Sequence, residues 1–202
     1  MSDRTHDDPE AAGTAALFYE AGVLRRVPRT GWGYDGIPGG ETVAEHSHRA
    51  AVIGAALAAV EGADPGRTAL LCVLHDLHEA RTGDLTPLAK RYVAFKADPR
   101  DVTADQTAGA HPAVRDVLAG AVDEFESADS AEARCAHDAD KLDCIIAALE
   151  YRAQGHTAVQ GKIDRCLAAL KTASARRIAE AALTTDPTSW QQLFATTSAA
   201  PR

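Results

Sequence analysis

The chain has 202 residues and a formal net charge of −8, long enough for one domain with a substantial core. That charge argues against a nucleic-acid backbone or an anionic membrane as the main partner. It leaves room for a small phosphorylated ligand, because a metal and one or two arginines reverse the potential locally.

Aromatic residues make up 5% of the chain, alanine is abundant and β-branched runs are scarce, so an all-α fold is expected. The four cysteines, Cys72, Cys135, Cys144 and Cys166, form no C-x-x-C pair and read as reduced thiols of a cytoplasmic protein. No signal peptide is expected at the acidic N-terminus, and no apolar run approaches the ~20 residues of a membrane span. The expected layout is a disordered segment over 1–12, one domain over 13–183, and a tail over 184–202. In that tail Trp190 and Phe194 suggest a short docking helix.

A first helix is predicted over Ala15–Leu24, followed by an irregular segment through Pro28 and a Gly- and Pro-containing loop to Gly40. Arg29 and Trp32 in that segment would suit an anionic, planar ligand, or else a surface Arg and a core Trp. Thr42-Val43-Ala44-Glu45 fits a capping box. From there Val43, His46, Ala50, Ile53, Leu57 and Val60 form one helical face, with His48 rotated away. His46 on that buried stripe is either a satisfied core histidine or a ligand.

Asp64-Pro65 opens the next helix, whose apolar run Ala69–Leu74 leads into His75-Asp76-Leu77-His78-Glu79-Ala80-Arg81-Thr82-Gly83-Asp84. Adjacent His and Asp at the end of such a run are expensive to bury unless something binds them, and a divalent metal suits that donor pair. If the helix continues, Glu79 emerges on nearly the same face as His75 and Asp76, and Gly83 ends the helix just before Asp84. A turn and short helix should follow over Leu85–Arg91, then a mobile loop over 96–112. Ala113–Phe125 reads as helix. Asp129-Ser130-Ala131-Glu132 resembles a capping box opening a helix to Arg152, with Leu142, Ile145, Ile146 and Leu149 inward. Asp140 within it either faces the core, where it needs a partner, or joins Asp138 and Asp143 on a solvated acidic face. Gly155 closes this helix. A final amphipathic run spans Ile163–Leu183, with Cys166, Leu167, Leu170, Ile178 and Leu183 packing.

His46, His75-Asp76 and Asp140 on three separate helices give the order H…HD…D, which resembles the HD-domain metal-dependent phosphohydrolases. Within them the sequence is similar to the 5′-deoxynucleotidase branch. The similar segments are Val27-Pro28-Arg29-Thr30-Gly31-Trp32, Glu41-Thr42-Val43-Ala44-Glu45-His46-Ser47, and His75-Asp76-x-x-Glu79-x-x-x-Gly83-Asp84. Further segments are Asp123-Glu124-Phe125-Glu126, Ser130-Ala131-Glu132-Ala133, and Asp140-Lys141-Leu142-Asp143 through Glu150-Tyr151.

The resemblance implies an HD-domain helical bundle, a homodimer, and one divalent metal (Mn, Co, Fe, Zn or Mg) held by His46, His75, Asp76 and Asp140. It implies phosphate binding by Arg29 with Trp32, proton handling by Glu79, and sugar contacts by Asp84 and Thr86, with His46 bordering the substrate. The reaction would be removal of the 5′-phosphate from (deoxy)nucleoside monophosphates. His137 stands where relatives tend to have Lys, and could approach the metal from one helical turn away. Two other functions fit parts of the pattern. A di-iron oxygenase of HD type would need further ligands from His78, His111 or His137, and a non-catalytic nucleotide-binding regulator would need no Glu79.

Overall fold

The computed structural model describes residues 8–94 and 98–192. It is all helical, and among the described residues the one β-type contact is an isolated antiparallel bridge between Pro28 and Thr42.

Helix α1 (Pro9–Ala21) starts from Asp8, whose side chain accepts from Ala11 N at 3.0 Å, and it runs into a 3₁₀ turn over Gly22–Arg26. Residues 9–12 are therefore helical rather than disordered, and the helix begins and ends earlier than Ala15–Leu24. The rest of the expected disordered segment lies outside the described residues. A one-turn helix, α2 (Gly31–Tyr34), follows Arg29.

Helix α3 (Val43–Glu61) carries the expected capping box of Thr42 and Glu45. Its inward face is Val43, His46, Ala50, Gly54, Leu57 and Ala58, while Val60 points to solvent. Asp64 caps α4 (Pro65–Leu74) by accepting from Gly66 N and Arg67 N. Helix α3 packs chiefly on α4 and on α8 (Ala131–Ala153). The three meet so closely that a Cβ on Gly54 would stand 2.6 Å from Cys72 Sγ, 3.2 Å from Thr68 Cγ2 and 3.5 Å from Ala139 Cβ.

Three further segments depart from their expected form. The helix bearing His75 does not continue to Glu79: α4 ends at Leu74, four turn residues intervene, and α5 is the short piece Glu79–Thr82. The expected loop 96–112 holds a helix, α6 (Pro99–Thr107), started by a capping box of Asp98 and Asp101 with proline at the first position. Its residues Lys96 and Ala97 lie outside the described residues. The run Ile163–Leu183 is two helices, α9 (Gln160–Ala169) and α10 (Ala173–Thr184). Asp138 forces that break: buried, it accepts from Lys171 N at 2.8 Å and from Thr172 N and Oγ1 at 2.7 Å each. It thus fixes the chain just before α10, whose N-cap is Thr172, and is no part of a solvated face. Ala175 and Ala179 carry the α10 packing, with Ile178 exposed.

Between these, α7 (Pro112–Ser127) lies where helix was expected, and α8 opens at Ser130, which accepts from Ala133 N. Glu132 is not its capping-box partner and accepts from Asp64 N at 2.9 Å instead. After α10 a 3₁₀ turn spans Ser189–Gln191, and Phe194 lies outside the described residues. None of the described helices is long and apolar enough to cross a membrane.

Candidate active site

The His75–Asp76 pair occupies the turn where α4 stops. His75 N still bonds Leu71 O in helical fashion at 2.9 Å. From Leu77 onward the bonds shorten to i→i+3, with Leu77 N on Leu74 O, Glu79 N on Asp76 O and Ala80 N on Leu77 O. Side chains satisfy carbonyls that the ending helix leaves open. His75 Nδ1 donates to Cys72 O at 2.8 Å, and Gln106 of α6 donates to Leu77 O at 3.1 Å.

Because a carbonyl only accepts, His75 carries its proton on Nδ1 and keeps the Nε2 lone pair free. His46 is arranged alike: its Nδ1 donates to Asp143 Oδ2 at 2.6 Å. The two Nε2 atoms face each other at 3.3 Å. Asp140 Oδ1 lies 3.3 Å from His46 Nε2, and Asp76 Oδ2 lies 3.1 Å from His75 Nε2 and 3.7 Å from His46 Nε2. His46, His75 and Asp140 each offer a ligand atom within 4.8 Å of the others. A cation with ligands at about 2.0–2.1 Å spaces tetrahedral neighbours about 3.3 Å apart, so these donors fit one divalent metal. Lys141 Nζ holds the other Asp140 oxygen at 2.6 Å.

The electrostatics agree with that fit. Burial and Arg29 push the His46 pKa down, but Asp140 and Asp143 outweigh them and lift it to about 9; a cation would displace that proton. Burial alone would raise Asp76 and Asp140, yet His75, His46 and the neighbouring cations hold both well below the usual carboxylate range. Burial likewise opposes the Arg29 charge, and Asp76, Asp140 and Asp84 more than restore it.

Arg29 borders the same carboxylates, NH1 3.3 Å from Asp76 Oδ2 and NH2 3.8 Å from Asp140 Oδ1. Its turn is pinned by Asp84, whose Oδ2 accepts from Thr30 N at 2.7 Å while its carbonyl accepts from Thr30 Oγ1 at 2.8 Å. Asp84 Oδ1 accepts no hydrogen bond among the described residues. Glu79 is 6% exposed, and its Oε2 is buried without a hydrogen-bond partner. Burial first, then Asp76 and Asp84, raise its pKa well above the ordinary carboxylate range, against the pull of Arg29 and Lys90.

The other expected residues are placed differently. Trp32 is 2% exposed, its indole donating to Glu41 Oε1 at 3.2 Å, its ring under Lys162 Nζ at 3.6 Å and edge-on to Tyr151. It braces the Arg29 turn from inside the core. Thr86 is buried and its hydroxyl accepts from Ala89 N. His137 does not turn toward the ligands: it stacks on Phe125 at 4.1 Å and bonds Phe125 O, while Phe125 in turn packs on His75. His78 and His111 are engaged with backbone at His75 O and Ala113 N. Asp143 and Arg49 were not among the expected site residues, and their signal was only the spacing of Asp143 three residues beyond Asp140 and Arg49 three beyond His46.

The sequence model of the HD domain family matches residues 21–182. The human protein named 5′-deoxynucleotidase HDDC2 is 31% identical over 157 residues, which is 77% of this chain and 76% of that protein. The Danio rerio protein of the same name is also 31% identical, over 64% of this chain and 65% of its own length. Among solved structures, a conserved hypothetical protein from Pyrococcus furiosus superposes with a TM-score of 0.67 at 28% identity, covering 85% of this chain and 100% of that one. With a helical bundle that brings together His46, the HD pair and a distant aspartate, the chain belongs to the HD-domain family.

Proposed function

We propose that the protein is a metal-dependent phosphohydrolase that removes the 5′-phosphate of deoxynucleoside monophosphates. The observation that carries this is the convergence of His46, His75 and Asp140, with Asp76 beside both imidazoles, Arg29 against the two aspartates and, nearby in sequence, a buried Glu79 oxygen without a partner. Relatives named 5′-deoxynucleotidases support the choice of substrate class.

A divalent cation at His46, His75, Asp76 and Asp140 would neutralise phosphate charge and acidify a water nucleophile. Arg29 grips the terminal phosphate through its planar fork and is kept charged by the surrounding carboxylates. Hydrolysis of a phosphate monoester leaves an alkoxide that must take a proton. Glu79 enters in its protonated form and donates that proton to the departing 5′-oxygen. Asp84, on the turn beside Arg29, would border the sugar and disfavour an added 2′-hydroxyl by crowding.

The test is phosphate release from dAMP, AMP and 3′-dAMP, with and without added Mn²⁺ or Co²⁺. Release from dAMP well above the other two, dependent on metal, is the expected result. Equal rates on dAMP and AMP would discard the deoxy preference, and no release from any monophosphate would discard the phosphohydrolase.

A further inference from the structure

Arg49 lies one turn beyond His46 on α3, on the side of the imidazole away from the ligand atoms. Its three donor groups each meet a different carboxylate. Nε donates to Asp143 Oδ1, NH1 to Glu150 Oε2 at 2.7 Å, and NH2 to Glu41 Oε2 at 3.1 Å. Two of those carboxylates are committed elsewhere by their second oxygen. Asp143, fully buried, takes His46 Nδ1. Glu41 takes the Trp32 indole, and its backbone carbonyl accepts from Arg29 N at 2.9 Å while its N–H donates to Tyr151 Oη at 3.0 Å.

Glu41, His46 and Asp143 also bring ligand-type atoms within 4.8 Å of one another. Two carboxylates and an imidazole so placed call for a cation, and the guanidinium of Arg49 is that cation. Burial opposes its charge, and Asp143 and Glu150 outweigh burial. Removing the charge would leave the Asp143 and Glu41 carboxylates without their cation in a low-dielectric setting, and both would have to move.

We propose that Arg49 is a positioning residue with two outputs: it sets the His46 imidazole through Asp143 and the Arg29 turn through Glu41. One cation that touches neither metal nor substrate thereby tunes both metal affinity and phosphate affinity. This rests on His46 as a metal ligand and Arg29 as the phosphate group.

The experiment measures binding rather than turnover. Mn²⁺ affinity is read from the free-ion paramagnetic signal, and inorganic phosphate is titrated calorimetrically into the Mn²⁺-loaded protein. Arg49→Lys keeps the charge but not the fork, and both affinities should fall by about 10-fold or more. Asp143→Asn should weaken Mn²⁺ by about 10–100-fold, the range typical of losing the partner of a ligating histidine. Glu41→Gln should weaken phosphate while keeping Mn²⁺ affinity, which also covers the case in which Arg49→Lys does not fold. Arg67→Lys is the control, since Arg67 pairs with Glu124 and Gly120 O on another part of the bundle, and it should leave both affinities intact.

Wild-type affinities in Arg49→Lys, or equal losses in Arg67→Lys, would overturn the assignment. Loss of Mn²⁺ affinity in Glu41→Gln matching its phosphate loss would overturn the division into two outputs. A wild-type protein that binds no stoichiometric Mn²⁺ would instead overturn the metal site on which the inference rests.

Discussion

His46 and Asp140 sit inside α3 and α8, helices of 19 and 23 residues that pack on each other. Arg29 and Asp84 sit on turns joined by hydrogen bonds from Thr30 to Asp84, and Arg29 is tied further to Glu41 O and to the Asp76 and Asp140 carboxylates. Two of the proposed ligands are thus held inside packed helices, and His75 and Asp76, on the turn after α4, are held by burial, with each imidazole locked by a bond at its far nitrogen. The proposed phosphate and sugar side is tied at Asp84 by bonds to Thr30 that are open to solvent. Groups that must fit an ion to a few tenths of an ångström are fixed by packing, and groups that must admit and release a substrate are left nearer to solvent.

The sharpest way to break this contrast is at the ligands. His75→Ala or Asp140→Ala should abolish stoichiometric metal and lower kcat/KM by on the order of 10³-fold or more. Elemental analysis beside a dAMP assay checks it, and retained metal in both variants would sink the ligand assignment.

Glu79 lies between the two regions, and Glu79→Gln should cut kcat by about 10²–10⁴-fold with metal content unchanged. It should also stabilise the chelated protein. The folded-state pKa of Glu79 is raised above its ordinary 4.5, so its contribution is full below that value and is lost as pH rises through the shifted one. Glutamine mimics the protonated form at every pH. The Tm advantage of the variant should therefore grow between about pH 5 and pH 8, by about 2–4 °C for each kcal/mol gained. A shrinking advantage over that interval would contradict the burial of an acid there.

Asp84→Ala probes the turn side. Loss of its bonds to Thr30 frees the Arg29 turn, and the dAMP kcat/KM should fall by roughly 5- to 150-fold while the dAMP to AMP ratio contracts. An unchanged ratio would leave Asp84 as a brace for Thr30 alone. The smallest effect should come from Thr42→Ala at the start of α3. It removes a cap worth about 1 kcal/mol and should lower Tm by about 2–4 °C with kinetics intact.

The sequence disclosed the caps at Thr42 and Asp64, the inward placement of His46 and the helix of Asp140 because those signals are local. The break after Leu74 was not legible, since continuing the helix gives His75, Asp76 and Glu79 a common face too. At the break the His75 side chain takes Cys72 O, the acceptor that Asp76 N would use in a continuing helix. Helix α6 was missed although Asp98, Pro99 and Asp101 repeat the kind of start read correctly at Asp64-Pro65; the polar composition outweighed the cap. Asp140 and Asp143 could not be separated by spacing, because two acids one turn apart differ only in which atom the partner helix presents. Arg49 carries no mark in one dimension beyond its spacing from His46, since its three carboxylates come from residues 41, 143 and 150.

The close meeting of α3, α4 and α8 at Gly54 has a genetic side. Every missense change that one nucleotide can make in a glycine codon introduces a residue with a Cβ. At Gly54 that atom would press on Cys72, three residues before His75, and on Thr68 of the same helix, with Ala139, the neighbour of Asp140, at ordinary contact distance. Each such change therefore strains the packing of α4 on α3, and with it the turn after α4 that carries His75 and Asp76. The spacing of the proposed ligand set thus depends on a residue that takes no part in its chemistry.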